Sequence, residues 1–262
     1  ATEEQKQKWL RMVSEEGMLA SYAVTEPGAG SDVAACKTSA VRDGDEYVIN
    51  GSKMWITGAG YADFFFVLAK TDVDAGYKGM SGFIVESTAE GFSLGKKETN
   101  MGQRCSDTRS IQFDDVRIPA DQLVGGSESG GWMNAMKAFD MSRPNIAAHA
   151  TGLARAAYEH ALQYSGERST FGKPLYKHQA IQFMLADMKT KIEASRMLTW
   201  KSAADSDAGV QNTESAAHAK RFAADTAMEV STDAVQVFGG YGFYRQASSS
   251  SQRVHGKELL GT

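Results

Sequence analysis

The sequence predicts an α+β protein in which an antiparallel β-barrel or sandwich domain is followed by an antiparallel helical bundle. Three observations predict it. From about residue 18 to 118 the hydrophobic residues run in short stretches of period two, interrupted by turn residues. After about residue 128 that pattern stops and Ala-, Met- and Leu-rich stretches with spacings of 4 and 3 take over. Strands and helices do not alternate, as a parallel βαβ sheet would require. The divisions are 1–17, a helix; 18–127, the β domain; 128–245, the bundle; and 246–262, an irregular tail.

Residues 2–16 read as one helix capped by Thr2, with Glu3 and Glu4 at the positive end of its dipole. The strand LASYAV follows. Arg42-Asp43-Gly44-Asp45 joins CKTSAV to EYVI, and Asn50-Gly51 is expected to turn EYVI back into KMWITG, because Asp-Gly and Asn-Gly tolerate the positive φ of tight hairpins. DFFFVLAK, GFIVES, FSLGKK and RSIQFDDVRI bring the series to about seven strands. In the second half, a helical stretch opens at GGWMNAMKAF, with Pro144 as its one break. Ile181, Leu185, Met188 and Ile192 line one face of the next helix, and Ala223, Ala227, Val230, Ala234 and Val237 that of the last. Gly239-Gly240 is a C-terminal stop. Three or four antiparallel helices result.

Composition excludes several classes. Hydrophobic residues are 42% and charged residues 23%, an ordinary globular mix. The 28 Lys and Arg against 32 Asp and Glu give a net charge of −4, which argues against a chain living on nucleic-acid phosphates or anionic lipid. The two cysteines, Cys36 and Cys105, form no CxxC pair, so no disulfide framework is expected, and the five histidines show no metal spacing. No signal peptide and no membrane span is read. GxSxG and HExxH motifs are missing.

Three segments could carry chemistry. Thr25-Glu26-Pro27-Gly28-Ala29-Gly30-Ser31-Asp32 is a Gly-rich loop that frees backbone N–H groups for a flat or phosphorylated ligand, yet it is neither a Walker loop nor GxGxxG. Lys53-Met54-Trp55-Ile56-Thr57-Gly58-Ala59-Gly60 offers an indole and a hydroxyl at a strand end, where a planar group could pack. Glu167-Arg168-Ser169-Thr170-Phe171-Gly172-Lys173-Pro174, followed by His178-Gln179, places two cations and two hydroxyls in an interhelix loop, a set that suits phosphate. Each alone reads more readily as a turn, a core tryptophan or a solvated loop.

Together and in order, YAVTEPGAGSD, EYVINGSKMWITG, NMGQRCSDTRSIQFDDVRIP, FDMSRP, ERSTFGKPLYKHQAIQFMLADM and DAVQVFGGYGF resemble the acyl-CoA dehydrogenase family, above all its mitochondrial medium-chain members, from about residue 2 to 243. The resemblance implies FAD as cofactor and oxidation of a fatty acyl-CoA to the trans-2-enoyl-CoA in fatty acid β-oxidation. It implies electron-transferring flavoprotein as electron acceptor. It also implies a homo-oligomer, dimer or tetramer, in the mitochondrial matrix or a bacterial cytoplasm. By motif, Tyr22, Val24, Thr25, Gly30 and Ser31 line the isoalloxazine and pyrophosphate. Thr25 and Thr57 hydrogen-bond the ring, with Trp55 packed on it and Ile56 beside it. Arg168, Ser169, Thr170, Phe171, His178 and Gln179 hold the FAD of a partner subunit, and Gln236, Gly239 and Gly240 meet its adenosine end. Ser31, Thr71, Asp140 and Arg143 contact CoA.

The family pattern has two further parts. A helical domain precedes the equivalent of residue 2, which makes residues 1–17 a remnant of it. A loop after GYGF carries the catalytic Glu; here the sequence reads YRQASSSSQRVHGKELLGT from Tyr244, and register places the base beyond Thr262. Glu258 is the only acid in that tail but its surroundings do not match, and Ser142, where some relatives carry the base, cannot serve. The catalytic residue is therefore unassigned. Two function classes stand: a dehydrogenase, and an inactive structural or assembly subunit that still binds FAD or CoA. An oxidase or nitroalkane-oxidising relative is a minor third.

Overall fold

A computed structural model describes residues 1–243. The chain divides into two compact units, Ala1–Met136 and a second that begins at Lys137. The α+β class is as expected.

The first unit opens with α1, Glu3–Glu15, whose Thr2 side chain accepts from the Gln5 N–H while Gln5 reaches back to the Thr2 N–H. This capping box satisfies two donors that the helix leaves unpaired. Seven strands follow: β1 Ala20–Ala23, β2 Ser39–Asp43, β3 Glu46–Thr57, β4 Phe64–Lys70, β5 Met80–Glu86, β6 Phe92–Leu94 and β7 Thr108–Pro119. They form one sheet in the order β1-β4-β2-β3-β7-β6, with β5 also on β4. The sheet is mixed rather than wholly antiparallel. β1 runs parallel to β4, and β2 meets β4 in parallel at Ser39 and Lys70. A loop of residues 24–38 carries the chain from β1 to β2, which leaves β1 free to align with β4 rather than fold back as a hairpin. The core beneath is apolar, with Tyr47, Ile49, Phe65, Phe83, Ile111 and Phe113 at 1% exposure or less.

Asn50-Gly51 is not a turn. β3 passes straight through it because β7 runs beside the whole length of β3, from Glu46 opposite Pro119 to Thr57 opposite Thr108. The ladder instead contains two bulges that cancel. Ile49 pairs with Val116 but Gly51 with Phe113, so β7 holds the extra residue; Lys53 pairs with Ile111 but Ile56 with Arg109, so β3 holds it. At the first bulge the Asn50 side chain accepts the Asp115 N–H at 2.9 Å and donates to the Asp115 carboxylate at 2.8 Å. The Asn that suggested a hairpin caps the bulged residue on the next strand.

The helical segments are α2 Gly131–Glu167, α3 Gln179–Asp207, α4 Thr213–Phe238 and the single turn α5 Gly240–Phe243. Pro144 does not break α2. A proline removes one i→i−4 bond, and three residues on, Ala147 is buried against Ala219 and Ala223 of α4. Within the second unit, Ala154, Ala157 and Ala161 of α2 pack with Leu185, Met188 and Ile192 of α3 and Ala227, Val230, Ala234 and Val237 of α4. The stripes are those the 4,3 spacing predicts. Gly239 ends α4 at φ +58, a conformation open to glycine. Between α2 and α3 lies a small hairpin, β8 Ser169–Thr170 with β9 Lys173–Pro174. Glu258 and residues 246–262 lie outside the described residues.

Candidate functional site

In the first unit, the Gly-rich loop and the end of β3 are fastened together residue by residue. The Met54 N–H donates to the Thr25 carbonyl at 2.8 Å. The Lys53 ammonium donates to the Val24 carbonyl at 3.1 Å and to a Glu26 carboxylate oxygen at 2.9 Å. The Cys36 thiol donates to the same Val24 carbonyl at 3.4 Å, and burial pushes that thiol's pKa up. Glu26 and Ala29 close a tight turn over Pro27-Gly28 with reciprocal backbone bonds of 3.0 and 3.1 Å.

These bonds decide what faces outward. Trp55 is 57% exposed at φ +62, a conformation that costs a bulky residue strain and points to a use for it. Thr57 is exposed and Thr25 half-buried. The Ser21 hydroxyl donates to the Thr57 carbonyl at 2.8 Å. Gly28, Gly30, Ser31 and Asp32 are exposed, and a Cβ built on Gly28 or Gly30 meets nothing within 4 Å. Tyr22 stacks on Phe66 at 5.2 Å with its hydroxyl 3.4 Å from the Ala135 carbonyl, and burial lifts its pKa to about 12. Val24 and Ile56 are buried at 3% and 2%, so either can meet a ligand only through the main chain. Thr71 is held by the Gly79 carbonyl at 3.1 Å and Ser81 at 2.9 Å.

In the second unit, a cavity of about 580 Å³ is lined by Arg168, Thr170, Gln236, Gly239, Gly240 and Tyr241, among others. The fold thus brings together five residues expected from two separate motifs. Ser169, Phe171, His178 and Gln179 stand outside the lining. Phe171 is 96% exposed at φ +50 at the tip of the β8–β9 hairpin. His178 Nε2 lies 3.3 Å from the Thr170 hydroxyl and 3.2 Å from its carbonyl oxygen, which fixes the base of that hairpin. Asp140 and Arg143 pair at 2.5 Å, and the Thr213 hydroxyl donates to the second Asp140 oxygen at 2.6 Å. No group of three His, Cys, Asp or Glu side chains among the described residues could hold a metal ion.

Residues 21–116 match the model of the acyl-CoA dehydrogenase middle domain, and residues 129–256 that of the acyl-CoA dehydrogenase C-terminal domain. The solved butyryl-CoA dehydrogenase of Megasphaera elsdenii is 44% identical, with a TM-score of 0.91 over 98% of this chain and 67% of its own. The chain belongs to the acyl-CoA dehydrogenase family. Among curated relatives, the cyclohexane-1-carbonyl-CoA dehydrogenase of Geobacter metallireducens is 50% identical over 89% of this chain and 61% of its own length. A probable mitochondrial medium-chain acyl-CoA dehydrogenase of Caenorhabditis briggsae is 50% identical over 82% and 53%. The chain therefore spans less than two thirds of those two relatives.

The family is one of FAD-dependent flavoproteins. The residues present fit that cofactor. A strained, exposed indole with hydroxyls beside it suits a flat polar ring, and open glycine backbone suits a close pyrophosphate. Sequence reasoning assigned no role to four residues that matter here: Glu26, Lys53, Tyr164 and Tyr241. A lysine in the inward phase of an apolar strand was the available signal for the first pair. Tyr164 stacks on Phe238 at 4.4 Å and floors the cavity.

Proposed function

We propose that this acyl-CoA dehydrogenase chain holds FAD and an acyl-CoA for oxidation of the Cα–Cβ bond to the trans-2-enoyl-CoA. The observation that carries the reading is the outward pair Trp55 and Thr57 at the β3 bulge, beside the open loop at Gly28 and Gly30. Bound FAD supplies the hydride acceptor. In this reading Thr25 and Thr57 hydrogen-bond the ring, Trp55 keeps water from it, and Tyr22, Val24, Thr25, Gly30 and Ser31 line the ring and pyrophosphate. Residues 18–127 are the flavin-binding domain, and the bundle of 128–245 contributes Arg168 to a phosphate, and Gln236 to Gly240 to the adenosine end, of a partner subunit's FAD. Arg168 makes no ion pair among the described residues, which leaves its charge available. Ser31, Thr71, Asp140 and Arg143 take CoA, with Asp140 and Thr213 orienting the guanidinium. The α-proton needs a carboxylate beside it, and the expected carrier is the loop that follows the bundle in the family pattern.

The remaining expectations share this footing: a fatty acyl substrate in β-oxidation, electron-transferring flavoprotein as acceptor, and a dimer or tetramer. Relatives of equal identity come from a bacterium and a mitochondrion, so likeness favours neither compartment. No helix among the described residues is long and apolar enough to cross a membrane.

The test is the visible spectrum of the purified chain with added FAD, followed by octanoyl-CoA. A retained flavin band supports the reading, and faster loss of FAD from Arg168→Ala supports the role of that residue. A folded protein that takes up no flavin overturns it. Flavin that acyl-CoA does not bleach in the full-length protein supports the assembly-subunit reading instead.

A further inference from the structure

Lys53 is completely buried and Glu26 is 7% exposed, and neither touches the outward face on which Trp55 and Thr57 stand. Their ion pair spans 27 residues of chain at 2.9 Å. The Glu26 carboxylate is saturated. One oxygen accepts the Lys37 N–H at 2.6 Å; the other accepts the Thr38 N–H at 2.9 Å, the Thr38 hydroxyl at 2.6 Å and the Lys53 ammonium. Burial works against the Glu26 charge, but Lys53 and these three bonds outweigh it and hold the pKa below the ordinary carboxylate value. A buried ion pair gains little net stability over an apolar pair of the same volume, since desolvation cancels the attraction. Its best-attested use is to fix register, and here it fixes one particular register.

We propose that the Lys53–Glu26 pair is a positioning device that locks the β3 bulge to the 24–38 loop and so sets where Thr25 and Trp55 meet the flavin ring. The proposal rests on the flavin reading above. The geometry gives the lock three rungs in sequence. Val24 is tied to Lys53 through its carbonyl, Thr25 to Met54 through the backbone, and Glu26 to Lys53 through the side chains. Glu26 then passes the constraint to residues 37 and 38, where the loop enters β2. Without the charged rung, the single Met54–Thr25 backbone bond is left to hold the loop to a bulge, where the ladder itself is broken. Neither Lys53 nor Glu26 is placed to touch the cofactor.

The experiment compares wild type, Lys53→Met, the charge-removing double variant Lys53→Met with Glu26→Gln, and Thr38→Val. The double variant leaves no unpaired buried charge, and Thr38→Val removes one bond with little change of shape, so a folded protein is available whichever single change is costly. Two readouts are taken on the full chain: amide exchange of Met54 in flavin-free protein, and the affinity and midpoint potential of added FAD. The expected result is Met54 exchange at least tenfold faster in the double variant, with FAD affinity down at least tenfold and the potential shifted, even where thermal stability equals wild type. Thr38→Val should move the same readouts in the same direction by a smaller factor. Unchanged Met54 exchange and unchanged flavin properties in the folded variants would overturn the positioning role. Failure of the wild-type chain to take up FAD would overturn the flavin reading, and Met54 exchange would still decide the lock.

Discussion

Lys53 is fully buried while Trp55, two residues along the same strand, is 57% exposed. In an unbroken strand those two side chains share a face. The extra residue that β3 carries between Lys53 and Ile56 reverses the phase, so one short segment can anchor inward and present a ring outward.

That reversal stores strain in Trp55. Left-handed backbone costs a bulky residue about 1–2 kcal/mol, while glycine adopts it freely at an entropic cost of about 0.5–1 kcal/mol. Trp55→Gly should therefore leave the urea midpoint unchanged or raise it slightly, while FAD affinity falls. A parallel loss of both would show that the indole is there for packing.

The β8–β9 hairpin has a two-residue loop, Phe171-Gly172, with φ of +50 and +76. Both positive angles mark the turn type that favours Asn-Gly. Phe171→Asn should stabilise the second unit by about 0.5 kcal/mol, the order of such turn preferences, and should speed loss of FAD on dilution. Calorimetry and the flavin absorbance of the diluted protein check the two halves separately.

Gly51 stands at φ +142, and a Cβ there would lie 2.7 Å from the Thr38 Cα. Thr38 grips Glu26, so the overlap reaches the lock as well as the sheet. Gly51→Ala should cost roughly 2 kcal/mol or more through backbone strain and overpacking. A midpoint within experimental error of wild type in urea would contradict this.

Tyr47 is 1% exposed and donates to Glu128 at 2.6 Å; burial first, then Glu128, raise its pKa to about 12. An unfolded tyrosine ionises near pH 10, so between about 10 and 12 the unfolded state gives up its proton first. The stabilisation is complete below 10 and is lost as pH rises toward 12, by up to about 3 kcal/mol at about 1.4 kcal/mol per unit. Urea midpoints of wild type should fall more steeply across this range than those of Tyr47→Phe.

Much of this was legible in the sequence. The Thr2 cap, the Asp43-Gly44 turn, the 4,3 stripes of α3 and α4 and the stop at Gly239 are local signals, and the structure carries each of them. Arg168 and Thr170 from one motif and Gln236, Gly239 and Gly240 from another line one cavity.

What the sequence determined by itself was therefore the type and order of the elements, because capping, turn chemistry and periodicity act within a few residues. Only the tertiary structure decided which strands pair, and with that the meaning of ambiguous residues. Asn50-Gly51 has the local chemistry of a turn, yet the full length of β7 beside β3 turns it into a bulge. Lys53 stands in the inward phase of its strand, but its partner is not defined until the fold removes both Lys53 and Glu26 from water and leaves each as the other's nearest compensation. Desolvation and strand partnership depend on chain that lies 27 or more residues away, and no local pattern encodes them.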